Sequence, residues 1–195
     1  MNKASLLFSH LVRRPDAQID LGAAALAIAA GEYPDLDIGH YLARLDELAA
    51  GLPATADAVV TRLFHELGLR GNETDYYDAR NSFLSDVLDR RLGIPITLSV
   101  VFLEVSRRVG LGAAGVGFPG HFLVRVGDEV LDPFHGGVSR TLDGAHPSVG
   151  NRYILNRMLV NLRTIYRRRG DTSREENIAA LVAALGETPR RENTH

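Results

Sequence analysis

His121 and Asp132, eleven positions apart in VGFPGHFLVRVGDEVLDPFHGG (116–137), are of the right types for general-base chemistry. A carboxylate that accepts a hydrogen bond from an imidazole fixes its tautomer and raises its basicity, so the other ring nitrogen is ready to take a proton. Such a pair needs a nucleophile. The chain contains no cysteine, which excludes thiol acyl transfer, thiolate metal ligation and disulfides together. Thr97 and Ser99, in GIPITLS, are the hydroxyl candidates, because they lie near the start of a helix whose amino end favours a developing oxyanion. His135, in the adjoining HGG, is a third donor. His121, Asp132 and His135 have the types that hold zinc with an open position, but His135 lies past the strand and is free to point elsewhere, so no metal and no cofactor is expected.

For the pair to meet, this stretch must fold as a hairpin. A two-residue turn at Gly127 and Asp128 pairs Val126 with Glu129, then Leu123 with Asp132 and His121 with Phe134. His121 and Asp132 then share a face as diagonal neighbours, about 7–8 Å apart at the backbone, which one hydrogen bond between side chains closes. Phe122, Val124, Val126 and Leu131 take the opposite face toward a core. A slip of one residue would put Asp132 on the wrong face. The pair is not specific: on pattern alone, Asp132 opening a DPF turn and His121 ending a strand is the favoured reading of the same residues.

The elements around the hairpin are mostly helical. IDLGAAALAIAAG runs from an Asp20 N-cap to Gly31, DIGHYLARLDELAAG from Asp37 to Gly51, and TADAVVTRLFHELG from Thr55 to Gly68. Polar LRGNETDYYDARN (69–81) reads as a loop, and SFLSDVLDRRLG as a short helix ending at Gly93. PITLSVVFLEVSRRVG, with Pro95 at the first helical position and Gly110 at its end, is apolar on most sides and reads as a buried central helix. NRYILNRMLVNLRTIYRRRGD and SREENIAALVAALG supply two closing helices, and the tail after Gly186 reads as mobile. This divides the chain into an N-terminal helical region (1–75), a core (76–145) and C-terminal helices with a tail (146–195), packed as one unit.

Charge and hydropathy narrow the setting. With 22 basic and 24 acidic residues the net charge is −2, so the chain as a whole has no field that would favour nucleic acid or an anionic membrane. The run Arg167–Arg169 reads as a solvated helix end. The longest apolar stretch, Leu21 to Ala30, is half of the roughly 20 residues a membrane span needs. The start of the chain lacks the apolar core of a signal peptide, so the expected location is cytoplasmic.

Taken together, GIPITLSVVFLEVSRRVGL, GVGFPGHFLVRV and LDPFHGG resemble the transglutaminase-like superfamily, and within it the bacterial SirB family. LDIGHYLARLDELA, RGNETDYYDARNSFLSDVLDRRLGIPIT and RMLVNLRTIYRRRGD extend the resemblance over about Asp20 to Asp171. It implies an α+β, papain-like core in which a cysteine opens a central helix and a histidine and an aspartate on neighbouring strands complete an acyl-transfer site. His121 and Asp132 match the latter two positions. Counting back about fifteen residues from Gly110 places Pro95 where the cysteine would stand. The resemblance also implies a cleft lined by Tyr77, Asn81, Ser82, Thr97, Ser99 and His135, although Asn81 is equally suited to capping the next helix.

The expected function is therefore that of a non-catalytic relative whose cleft binds a peptide or another protein. The alternative is a hydrolase of amide or ester bonds with Thr97 or Ser99 as nucleophile and His121 as base. Against it, a helical residue two positions beyond Pro95 points about 200° away around the axis. Nothing in the sequence names a ligand or an oligomeric state.

Overall fold

A computed structural model describes residues 3–118, 120–144 and 146–186; the tail after Gly186 lies outside them. The N-terminal helices form where capping side chains meet apolar runs. Helix α1 spans Lys3–Leu11, and α2 (Leu21–Glu32) begins where the Asp20 carboxylate accepts from the Ala23 amide at 2.9 Å. Asp37 does the same for α3 (Ile38–Ala49), accepting from His40 at 3.0 Å. Each such cap is worth about 1 kcal/mol. Thr55 opens α4 (Ala56–Val60). That helix does not run on regularly to Gly68 as expected: it widens into a π-helical segment, Thr61–Glu66, with the Leu67 amide donating to the Arg62 carbonyl.

The segment expected to be loop supplies one strand of a small sheet, and the end of the expected helix supplies the other. Arg70–Gly71 (β1) pairs in parallel with Leu92–Gly93 (β2), and the intervening α5 (Leu84–Arg90) is shorter than the expected helix. It stops because Arg91 adopts a left-handed φ of 60° and turns the chain into β2. Pro95 then starts α6 (Pro95–Val109), and Gly110, at φ +76°, ends it. All eight residues from Pro95 to Phe102 are buried, so α6 is the central helix the apolar run predicted.

Four antiparallel strands follow in the order β3 (Ala113–Phe118), β4 (His121–Val126), β5 (Glu129–Asp132) and β6 (Val138–Ser139). The register is the one deduced from the turn, with Val126 opposite Glu129, Arg125 opposite Val130 and Val124 opposite Leu131. Phe122, Val124 and Leu131 are buried in the main core, while Val116, Leu123 and Val130 form a smaller cluster on the other face. Helices α7 (Asn151–Arg169) and α8 (Thr172–Gly186) close the core, which runs from Phe8 to Leu185. The architecture is α+β.

Candidate functional site

The site is assembled at the end of β5. Asp132 is 1% exposed and makes two kinds of contact. Its Oδ1 accepts from the Phe134 and His135 amides at 3.1 and 3.4 Å, which holds the 3-10 turn Pro133–His135. Its Oδ2 lies 3.0 Å from His121 Nε2 and 2.8 Å from His135 Nδ1, and it accepts from Arg140 Nε at 3.1 Å. An ionised carboxylate only accepts, so the contact with His121 puts the proton on Nε2 and leaves Nδ1 as the basic ring nitrogen. His135 Nδ1 also lies 3.2 Å from the Arg140 guanidinium, but the shorter contact and the charge favour donation to Asp132.

Burial pushes the Asp132 carboxyl upward. The hydrogen bonds from His135, His121 and Arg140 outweigh it, and the carboxyl ends below the ordinary range. His121, Asp132 and His135 each offer a ligand atom, all within 4.8 Å of one another. The spacing suits a cation, but Arg140 already brings its guanidinium to within 2.9 Å of the shared oxygen.

Sequence reasoning missed Arg140. The signal for it was the Gly136–Gly137 pair, both at positive φ, which turns the chain back so that β6 pairs Val138 with Asp132 and delivers Arg140 to the carboxylate. It also missed what holds Phe134. A Cβ added to Gly71 would fall 2.6 Å from the Phe134 ring, so β1 packs flush beneath the turn. Phe134 in turn sets its ring against His121, centroids 6.2 Å apart, and against Tyr76, also at 6.2 Å.

The other expected site residues are placed less favourably. Thr97 and Ser99 are fully buried, and the Ser99 hydroxyl donates to the Pro95 carbonyl at 2.8 Å. Thr97 Oγ1 finds no hydrogen-bond partner among the described residues, but no solvent reaches it. Neither hydroxyl is presented to a substrate as the hydrolase alternative requires. Asn81 neither caps a helix nor lines a cleft. It is fully buried, donates to the Asp75 carbonyl at 2.7 Å and accepts from Asn72 at 3.0 Å, tying the 72–81 loop together. Ser82 is buried beside it. Tyr77 is 52% exposed, with the Arg168 guanidinium stacked 4.5 Å over its ring, and Tyr76 packs edge-on against it. Pro95 is buried at the first turn of α6.

Comparison with known proteins identifies the family. Residues 39–146 fit the model of the transglutaminase-like superfamily, a span holding Pro95, His121, Asp132 and Arg140. A UPF0162 protein of Xylella fastidiosa is 40% identical over 82% of this chain and 69% of its own length. A UPF0162 protein of Pseudomonas aeruginosa is 35% identical over 65% of this chain and half of its own. A shorter stretch, 35% of this chain, is 45% identical to 11% of F-box only protein 21 of Mus musculus. No solved structure matches. The chain belongs to the transglutaminase-like superfamily.

Proposed function

We propose that this chain is a non-catalytic member of the superfamily, of the bacterial SirB type, that binds a peptide or protein segment in the cleft bordered by His121 and Phe134. One observation supports the reading: the sequence has no cysteine, and proline opens the central helix at the position where the resemblance implies a nucleophile. A proline ring cannot attack a carbonyl, and the nearby hydroxyls of Thr97 and Ser99 are buried. The retained histidine and aspartate serve instead to fix the wall of the cleft, since Asp132 ties β4, the turn after β5 and Arg140 into one cluster. No helix among the described residues is long and apolar enough to cross a membrane, and a cytoplasmic setting suits a cleft of this kind.

The test is turnover. Amide, ester and transamidation substrates incubated with the purified protein should show no rate above that of a His121→Ala variant. A rate that disappears in Thr97→Ala or Ser99→Ala would overturn the proposal in favour of a hydroxyl-based hydrolase.

A further inference from the structure

Arg157 is an arginine of α7 with, among the described residues, a neutral partner only. On α7 it donates to the Phe118 carbonyl at 3.3 Å, and no carboxylate of the described residues lies within ion-pairing distance of it. Arg140, Arg163, Arg167 and Arg174 have such carboxylates; Arg152 and Arg169, also on α7, are like Arg157 in donating to carbonyls, but not to carbonyls of the strands that carry the candidate site. A half-buried guanidinium held only by a neutral carbonyl keeps most of its five donors for something else.

Its position ties it to the candidate site from two sides. Phe118 is the residue of β3 that pairs with His121 of β4, so the carbonyl holding Arg157 belongs to the strand position opposite that histidine. Tyr76 is near enough for the Arg157 charge to oppose the rise that burial gives its phenol. Tyr76 packs against Phe134, and Phe134 against His121. One turn earlier on α7, Tyr153 is 42% exposed and lies over Gly117, where an added Cβ would meet its hydroxyl at 2.9 Å. Arg157 thus lies one helical turn from Tyr153 and within electrostatic reach of Tyr76. The carboxylate on the far side, Asp132, is already saturated by His121, His135 and Arg140.

Resting on the peptide-binding reading above, we propose that Arg157 anchors a carboxylate of the bound peptide, with Tyr76 and Tyr153 flanking the residue that carries it. A guanidinium suits this task because its planar fork meets a carboxylate with two parallel hydrogen bonds, and rings beside it offer apolar area without competing donors. The carboxylate can come from a chain end or from an acidic side chain.

Three fluorescein-labelled heptapeptide pools separate these sources by fluorescence polarisation: one with a free carboxyl end and no acidic residues, one amidated with a central glutamate, and one amidated with no acid. At least one of the first two should bind about ten-fold or more tighter than the third. That preference should vanish in Arg157→Gln and return in part in Arg157→Lys, with thermal melting confirming that both variants fold. Equal binding of all pools, or a preference that survives Arg157→Gln, overturns the anchor and leaves peptide binding standing. Binding of no pool overturns both.

Discussion

Replacing Asp132 with asparagine is nearly isosteric, yet it should be costly because only one of the two carboxylate oxygens survives. The retained oxygen still accepts from the Phe134 and His135 amides, while the new amide group stands where Oδ2 met His121, His135 and Arg140 at 2.8 to 3.1 Å. Hydrogen bonds to charged groups contribute about 1.5–3 kcal/mol each when buried. Here the side chains of His121, His135 and Arg140 are 29, 44 and 44% exposed, so water replaces much of what is lost. The expected loss at neutral pH is about 2 kcal/mol. Asp132→Ala also removes the acceptor for the two turn amides and should cost about 1 kcal/mol more. Urea denaturation of the three proteins measures both steps. The dependence on pH has a fixed sign: a carboxyl whose folded pKa is depressed stabilises above its unfolded value, about 3.9, and loses that contribution as pH falls through the folded one. The gap between wild type and Asp132→Asn should therefore close in acid. An Asp132→Asn cost below about 0.5 kcal/mol at neutral pH, within the scatter of ordinary surface substitutions, or a gap that persists once the carboxyl is protonated, would refute the view of Asp132 as the hub of the site.

Two further outcomes follow from neighbouring geometry. If Pro95 faces His121, Pro95→Cys places a sulfur at the amino end of α6 where the helix field and the histidine each lower a thiol pKa, so its thiolate absorbance should appear below the free-cysteine value of about 8.5 and shift upward when His121→Ala is added; free-cysteine titration in both proteins would show that Pro95 does not face the histidine. Gly71→Ala drives a methyl to 2.6 Å from the Phe134 ring, and should lower stability by about 1–3 kcal/mol and displace the His121 ring resonances in NMR spectra; an unchanged spectrum would mean that β1 does not position the turn.

The hairpin was legible because its information is local. Gly127, at φ +58°, supplies the turn, and with that turn fixed one register buries Phe122, Val124 and Leu131 together, Leu123 being the apolar exception on the other face. Caps at Asp20 and Asp37 were legible for the same reason, each acting within three residues. What escaped depends on distant neighbours. The pairing of Arg70–Gly71 with Leu92–Gly93 crosses a helix and leaves two residues per strand, too few to show a period. The burial of Asn81 reflects hydrogen bonds to Asn72 and Asp75, which a cap preference cannot foresee. Thr97 and Ser99 were candidates because of the field at a helix amino end, which says nothing of whether their hydroxyls reach a surface, and here both are enclosed.

Helix α2 has a consequence for the order in which the protein can be made. Its residues Leu21, Gly22 and Ala24–Ala29 are buried, and the helices packed against it, α1, α3, α5, α6 and α7, are distributed along most of the chain. During synthesis α2 emerges long before Asn151–Arg169 exists to cover it, so a helix apolar up to its final Glu32 must wait in contact with water or a chaperone. Its neighbours cannot form a finished subunit meanwhile, because α6, their common support, is itself buried by strands made later. Folding of this chain is therefore expected to be a late, concerted event, and aggregation during slow translation is the hazard its architecture carries.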